Sequence, residues 1–465
     1  MSDAAAPGAA VARARRNTEL GLLIVAIIVA LGAYALVGLG LRGRVPAGVA
    51  GYGLLLVGGY VAAHLVVRGW ARDADPVLLP TAALLAGIGF AVIFRLAPRL
   101  AAAQASWLLF GLVLFGVTLI VIRDHRQLDG FTYTIGLLGV LMLLLPLAPG
   151  IGREVRGAKL WVDVGPLQFQ PSEIAKVLIV IFAASYLNAR RELLAVATRR
   201  LGPVALPEPR HLGPLLLAWG ISLAVLFFEK DLGSSLLFFG IVVVMLWVAT
   251  ARGAYLAIGG ILFAIGAFLG YQIFSHVQER VTVWLHALDP EFVQDEGFQV
   301  AQSLFALATG GLAGTGLGLG RPQEIPDVET DFVFSAIGEE LGLLGTMAVL
   351  LLFVILIGRG FRAALQRDGF GQLLAVGLTT ILALQTFVII GGVTRLIPLT
   401  GVTLPFVSYG GSSLVANFVL LALLVRVSAA PPTRRGDRGG SSPGARVRGG
   451  ERASEPPGTG WEEGG

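Results

Sequence analysis

The sequence predicts an all-α polytopic membrane protein of about twelve transmembrane helices with one large polar loop. Three observations carry that reading. The 465 residues are 55% hydrophobic and 14% charged, with a mean hydropathy of +0.78, whereas soluble domains carry about 25% charge. The apolar residues fall into blocks of roughly 17–25, the length that spans a bilayer as a helix. The basic residues gather in the short connections between blocks, and unequally on the two sides.

In chain order, residues 1–18 are small and polar with Arg13, Arg15 and Arg16 near their end, and read as a cytoplasmic tail. Apolar blocks follow at 19–41, 47–67, 76–98, 104–122, 131–149, 171–187, 212–228, 231–250, 253–273, 334–358, 370–393 and 411–427. Residues 274–333 form the large loop. Residues 429–465, rich in Gly, Pro, Ser and Arg, read as a disordered tail. With both termini inside, sixteen Lys and Arg fall on cytoplasmic connections and ten on the opposite side. That bias supports an even number of spans, cytoplasmic termini and an extracytoplasmic large loop. No short-period repeat is evident, and the first apolar run is too long for a cleavable signal peptide.

Several classes are excluded. Cysteine is absent, so there is no thiol nucleophile, disulfide or Cys-based metal site. The five histidines form no HExxH or His-x-His pattern, which argues against zinc. The net charge of +5 is explained by orientation in the bilayer and does not point to nucleic acid.

Four polar stretches interrupt the apolar pattern. In Gln170-Pro171-Ser172-Glu173-Ile174-Ala175-Lys176, Pro171 suits a first helical turn. Glu173 and Lys176 share a face at i,i+3, either pinning two helices together or lining a cavity. In Glu229-Lys230-Asp231-Leu232-Gly233-Ser234-Ser235, a short turn between spans, Asp231 stands where a carboxylate caps a helix. The large loop carries Arg280, Gln302, Ser303, the run Gly310–Gly320, and Glu324, Asp327, Glu329 and Asp331. Its glycine run lacks the GxxxxGK[ST] pattern, and reads either as a flexible connector or as backbone closely approaching a ligand. Thr330-Asp331 is also a plausible helix N-cap, but Glu339 and Glu340 together exceed what a helix start needs. Finally, residues 395–413, with Ser408 and Tyr409, resemble a re-entrant loop; such backbone survives at membrane depth only inside protein or against a wet cavity.

These residues are also familiar as a set. QPSEIAK, KDLGSS, ERV…LDP…GFQVAQS, TDFVFSAIGEELGLLG and LPFVSYGGSSL occur in the order and spacing of the SEDS (shape, elongation, division and sporulation) family, the RodA/FtsW proteins. The resemblance covers about residues 76–428. It implies a ten-helix core there, so that 19–75 adds two N-terminal helices. It implies peptidoglycan glycosyltransfer: lipid II is polymerised into glycan strands and undecaprenyl pyrophosphate is released. A class B penicillin-binding protein is the implied partner. The family's essential aspartate maps onto Asp331, and the Glu and Lys of QPSExxK onto Glu173 and Lys176. Two departures are Ile389-Ile390, where the family often has Asn, and Thr403 within GVTLPF. GGVTRLIPLTG is more similar to elongation-type members than to septal ones.

The chemistry so implied needs a base for the acceptor hydroxyl and positive charge for the departing pyrophosphate. Asp331 is the candidate base, with Arg280 and Lys176 as candidates for the pyrophosphate. Glu173, Gln302, Ser303, Glu339, Ser408 and Tyr409 would shape the substrate cavity, and the apolar walls would hold isoprenoid tails among membrane lipid. A divalent cation, Mg or Mn, could share the charge, although the sequence offers no ligand set. A transporter of lipid II is the rival reading.

Overall fold

The computed structural model describes residues 6–429, apart from 156–157, 165–166, 196–198, 202–203 and 207–212. The expected C-terminal tail lies outside the described residues. The helices are α1 (Ala6–Arg42), α2 (Val49–Trp70), α3 (Leu78–Leu96), α4 (Ala101–Val121), α5 (Thr132–Leu144), α6 (Pro171–Ala189), α7 (Arg191–Ala195), α8 (Gly213–Phe228), α9 (Leu232–Thr250), α10 (Ala254–Ile273), α11 (Ser275–His286), α12 (Phe298–Gly310), α13 (Val333–Leu365), α14 (Gly369–Val393) and α15 (Gly411–Ala429). Eleven, among the described residues, are long and apolar enough to cross a membrane, α5 being extended by 3-10 turns at both ends. The expected span at 212–228 is the shorter α8.

Three features differ from the sequence reading. The presumed N-terminal tail is helical from Ala6, and it docks: Arg15 and Arg16 donate to the carbonyls of Asp73 and Ala74, while Arg16 and His64 flank the buried Glu19 carboxylate. The large loop contains α11 and α12. Small antiparallel sheets occupy two connections: β1 (Gly152–Val155), β2 (Ala158–Val164) and β3 (Leu167–Phe169) before α6, and β4 (Arg199–Leu201) with β5 (Val204–Leu206) before α8.

The centre of the bundle is α3, α6, α14 and α15, which are predominantly apolar and mostly buried. α1 packs on α3 and α2 on α4, while α10 is almost wholly exposed to its surroundings.

The decisive local feature is a break in α13. Gly342 has φ 66 and ψ −165, a region essentially restricted to glycine. The break strands the carbonyls of Glu339 and Glu340 and the N–H groups of Leu343 and Leu344. The glycine run supplies all four partners. Thr315 and Gly316 donate to Glu339 and Glu340, and Leu343 and Leu344 donate to the carbonyls of Gly311 and Leu312, at 2.9–3.2 Å. The run is thus not a loose connector; its bare backbone is needed for contact with α13. A Cβ on Gly314, at φ +83, would stand 2.2 Å from the Glu340 carbonyl oxygen. Gly314→Val is expected to destabilise the protein by about 2–4 kcal/mol through backbone strain and overpacking. Gly58→Ala, where a Cβ meets nothing within 4 Å, should be near neutral; thermal unfolding in detergent compares the two.

Candidate active site

Several of the sequence-predicted groups meet at the connection between α14 and α15, above all at residues 399–402. Arg280, on α11, donates to the Leu399 carbonyl. Gly233, in the first turn of α9, packs against Thr400 and Val402. Gly401 takes φ +75, and a Cβ there would lie 3.9 Å from Oδ2 of Asp331. One short irregular segment therefore touches the elements bearing Arg280, Asp231 and Asp331.

Each neighbour is fixed by ordinary local chemistry. α11 is held end-on: Arg395 Nε donates to the Trp284 carbonyl at 2.6 Å and Trp284 Nε1 donates to the Arg395 carbonyl at 3.1 Å. A cation on the last carbonyls of a helix also suits its dipole. The turn bearing Asp331 is tied to the same connection. Ser408 Oγ donates to the Thr330 carbonyl at 2.6 Å while accepting from Leu404 N, and Tyr409 N donates to the Glu329 carbonyl at 2.8 Å. Burial, and then the Glu329 carboxylate, hold the Tyr409 hydroxyl above its usual range. Phe332 occupies the N-cap position of α13, one residue after Asp331.

Glu173 and Lys176 form the expected pair at 2.6 Å, buried, after Pro171 at the start of α6. Lys176 Nζ also donates to Gln385 Oε1 at 3.0 Å, and Gln385 Nε2 donates to the Thr403 carbonyl at 2.9 Å. Lys176 is 3% exposed and its ammonium is bonded to two acceptors, so it anchors the re-entrant connection. The Glu339 carboxylate accepts from Arg321 N at 2.6 Å. Ser303 is fully buried between helices, bonded to Ser335 Oγ and the Val393 carbonyl. Ser408 serves the loop linkage above. Gln302 is half-buried on α12.

Sequence reasoning gave three residues no role of their own. Gln385 is a fully buried amide in an otherwise largely apolar helix, and supplies a polar group in the span where the family's Asn is replaced. Arg95, at the end of α3, pairs with Glu340 at 2.6 Å and donates to the Gly320 carbonyl and Gln323 Oε1. Glu229, beside Asp231, is 2% exposed and its Oε1 has no hydrogen-bond partner. Asp231 itself caps α9 through Ser234 N and Oγ. Among the described residues no three His, Asp or Glu gather as a cation site.

The model of the FtsW/RodA/SpoVE cell cycle proteins matches residues 85–431. The chain belongs to this family. Peptidoglycan glycosyltransferase RodA of Mycobacterium tuberculosis is 45% identical over 427 residues, covering 89% of this chain and 90% of that protein. Probable peptidoglycan glycosyltransferase FtsW of Geobacter metallireducens is 38% identical over 309 residues, 66% of this chain and 79% of that one. A chain solved in work on the structural coordination of polymerization and crosslinking by a peptidoglycan synthase complex is similar with a TM-score of 0.62 and 30% identity, over 76% of this chain and 97% of that one. The crystal structure of RodA from Thermus thermophilus gives a TM-score of 0.52 at 28% identity, over 76% and 96%. The FtsW/RodA/SpoVE match begins inside α3, after α1 and α2.

In this family member, burial and the neighbouring Asp231 push the Glu229 carboxyl up to about 8 from its ordinary 4.5. The folded form therefore holds a proton that the unfolded chain releases between those values. The associated stability is complete below pH 4.5 and is lost as pH rises through about 8. Glu229→Gln should flatten the fall in melting temperature between pH 5 and 9; an unchanged slope would assign the fall to other groups.

Proposed function

We propose that the chain is a peptidoglycan glycosyltransferase that polymerises lipid II on the outer face of the cytoplasmic membrane, in the elongation role of the RodA relatives. Its termini are then cytoplasmic, as the excess of basic residues on that side supports. The observation that carries the reading is the Asp331 carboxylate held against the 399–402 segment, to which Arg280 is also bonded. The full-length similarity to proteins named peptidoglycan glycosyltransferase RodA supports it.

Glycan extension is a displacement at an anomeric carbon. The acceptor 4-hydroxyl oxygen forms the new bond to C1 of the donor, and the C1–O bond to pyrophosphate breaks with its electron pair. The hydroxyl proton passes to Asp331, the general base. Arg280 stabilises the charge that develops on the leaving pyrophosphate; a guanidinium suits phosphate oxygens geometrically as well as electrostatically. The fixed turn and connection hold the two sugars in register, and such positioning can supply several kcal/mol of barrier lowering, about 7 or more in the best cases. The buried Glu173–Lys176–Gln385 chain keeps that connection rigid at membrane depth. The partner is a class B penicillin-binding protein that cross-links the strand as it emerges; the likeness to a chain of a peptidoglycan synthase complex supports this.

Asp331→Asn keeps the size and removes the base. Purified in detergent and given lipid II, that variant should lose at least about 100-fold in polymerisation rate, the typical worth of a general base, with an unchanged melting temperature. Near-normal polymer would remove Asp331 from the chemistry. Detergent also excludes a transporter reading, because polymer forms there without a membrane to cross.

A further inference from the structure

We propose that Lys230 and His276 join Arg280 to form the pyrophosphate site of the lipid-linked donor, on the rim of the 399–402 segment. This rests on the glycosyltransferase reading and extends it to two residues on separate elements, the α8–α9 turn and the first turn of α11.

The turn between α8 and α9 sorts its charges. Glu229 and Asp231 are buried, whereas Lys230 between them is exposed, with φ 61. A left-handed conformation costs a residue with a Cβ roughly 1–2 kcal/mol, so this turn presents an ammonium outward at some expense. Three residues later Gly233 packs on Thr400 and Val402, which brings the turn to the segment that Arg280 also meets. His276 lies one helical turn before Arg280 on α11. Its Nε2 is buried and has no hydrogen-bond partner, and the charged groups acting on it are Lys230, Arg280 and Glu279. Two of those three groups are cations, and in its Nε2–H tautomer the unpartnered nitrogen can donate to an anionic oxygen.

The remaining charges permit an anion. The Leu399 carbonyl takes one of the five N–H donors of Arg280. The Glu229 carboxyl, pushed up to about 8, is largely neutral near pH 7, and Asp231 is engaged by Ser234. Lys176 is held by Glu173 and Gln385. Arg280 and Lys230 thus supply the fixed positive charges and His276 a hydrogen bond, which suits two linked phosphates better than one.

The test uses the purified full-length protein polymerising lipid II, inhibited by a polyprenyl pyrophosphate or by the monophosphate of equal chain length. Lys230→Gln and His276→Gln should each weaken pyrophosphate inhibition by about tenfold, equivalent to about 1.4 kcal/mol. Monophosphate inhibition should move much less, and melting temperatures should hold. Lys230→Arg should restore pyrophosphate inhibition. Unchanged pyrophosphate inhibition in both variants, or equal shifts for both lipids, would overturn the proposal. If polymerisation still requires Asp331 in that case, this site alone is wrong; an active Asp331→Asn would instead remove the underlying reading.

Discussion

A helix broken inside a membrane must have its freed backbone groups answered, because hydrocarbon offers no hydrogen bonds and each orphan costs several kcal/mol. At Gly342 four such groups are released, and residues 311–316 bond all four. The arrangement explains why so many glycines stand together. The strap must lie flat against α13, with Gly314, Gly316 and Gly318 all at positive φ. It also explains the adjacent acids: Glu340 accepts from Gly318 N and Arg95, while Glu339 accepts from Arg321 N. Both carboxylates clamp the strap onto the helix it completes.

The strap is pressed from its other side by α1. A Cβ on Gly40 would fall 2.2 Å from the Leu317 carbonyl oxygen, and one on Gly318 2.9 Å from that of Val37. The N-terminal helix, which precedes the part of the chain matched by the FtsW/RodA/SpoVE family, is therefore packed into the support of the segment that leads to Asp331. Its opposite end is secured by the Arg16–Glu19–His64 group and by Arg15 and Arg16 on the carbonyls after α2.

The second irregular piece, between α14 and α15, follows the same rule with side chains in place of a strap. Gln385 and Ser408 satisfy backbone groups of the connection, and Arg395 exchanges bonds with the end of α11. A buried ion pair such as Glu173–Lys176 is no guarantee of stability, since desolvation can exceed the attraction. Here its use is positional: through Gln385 it fixes the Thr403 carbonyl next to the segment that receives Arg280 and Asp331.

Membrane class, the approximate spans, the Glu173–Lys176 pair, Pro171 and the Asp231 cap were legible in the sequence, because apolar block length, i,i+3 spacing and cap chemistry are local properties. Motif order made Asp331 and Arg280 conspicuous as well. What the chain could not reveal was which polar residues face one another. Lys176 and Arg280 are both cations beside apolar spans; only packing assigns the first to Gln385 and the second to Leu399. The bonds of Ser303 in a helix seam and of Glu339 to the strap appear only in the folded bundle. Arg95 found Glu340 across 245 positions in the chain, and Gly342 broke its helix against a strap some thirty residues earlier. Such partners are chosen by the mutual closure of distant backbone groups, a condition that exists only once the bundle is assembled.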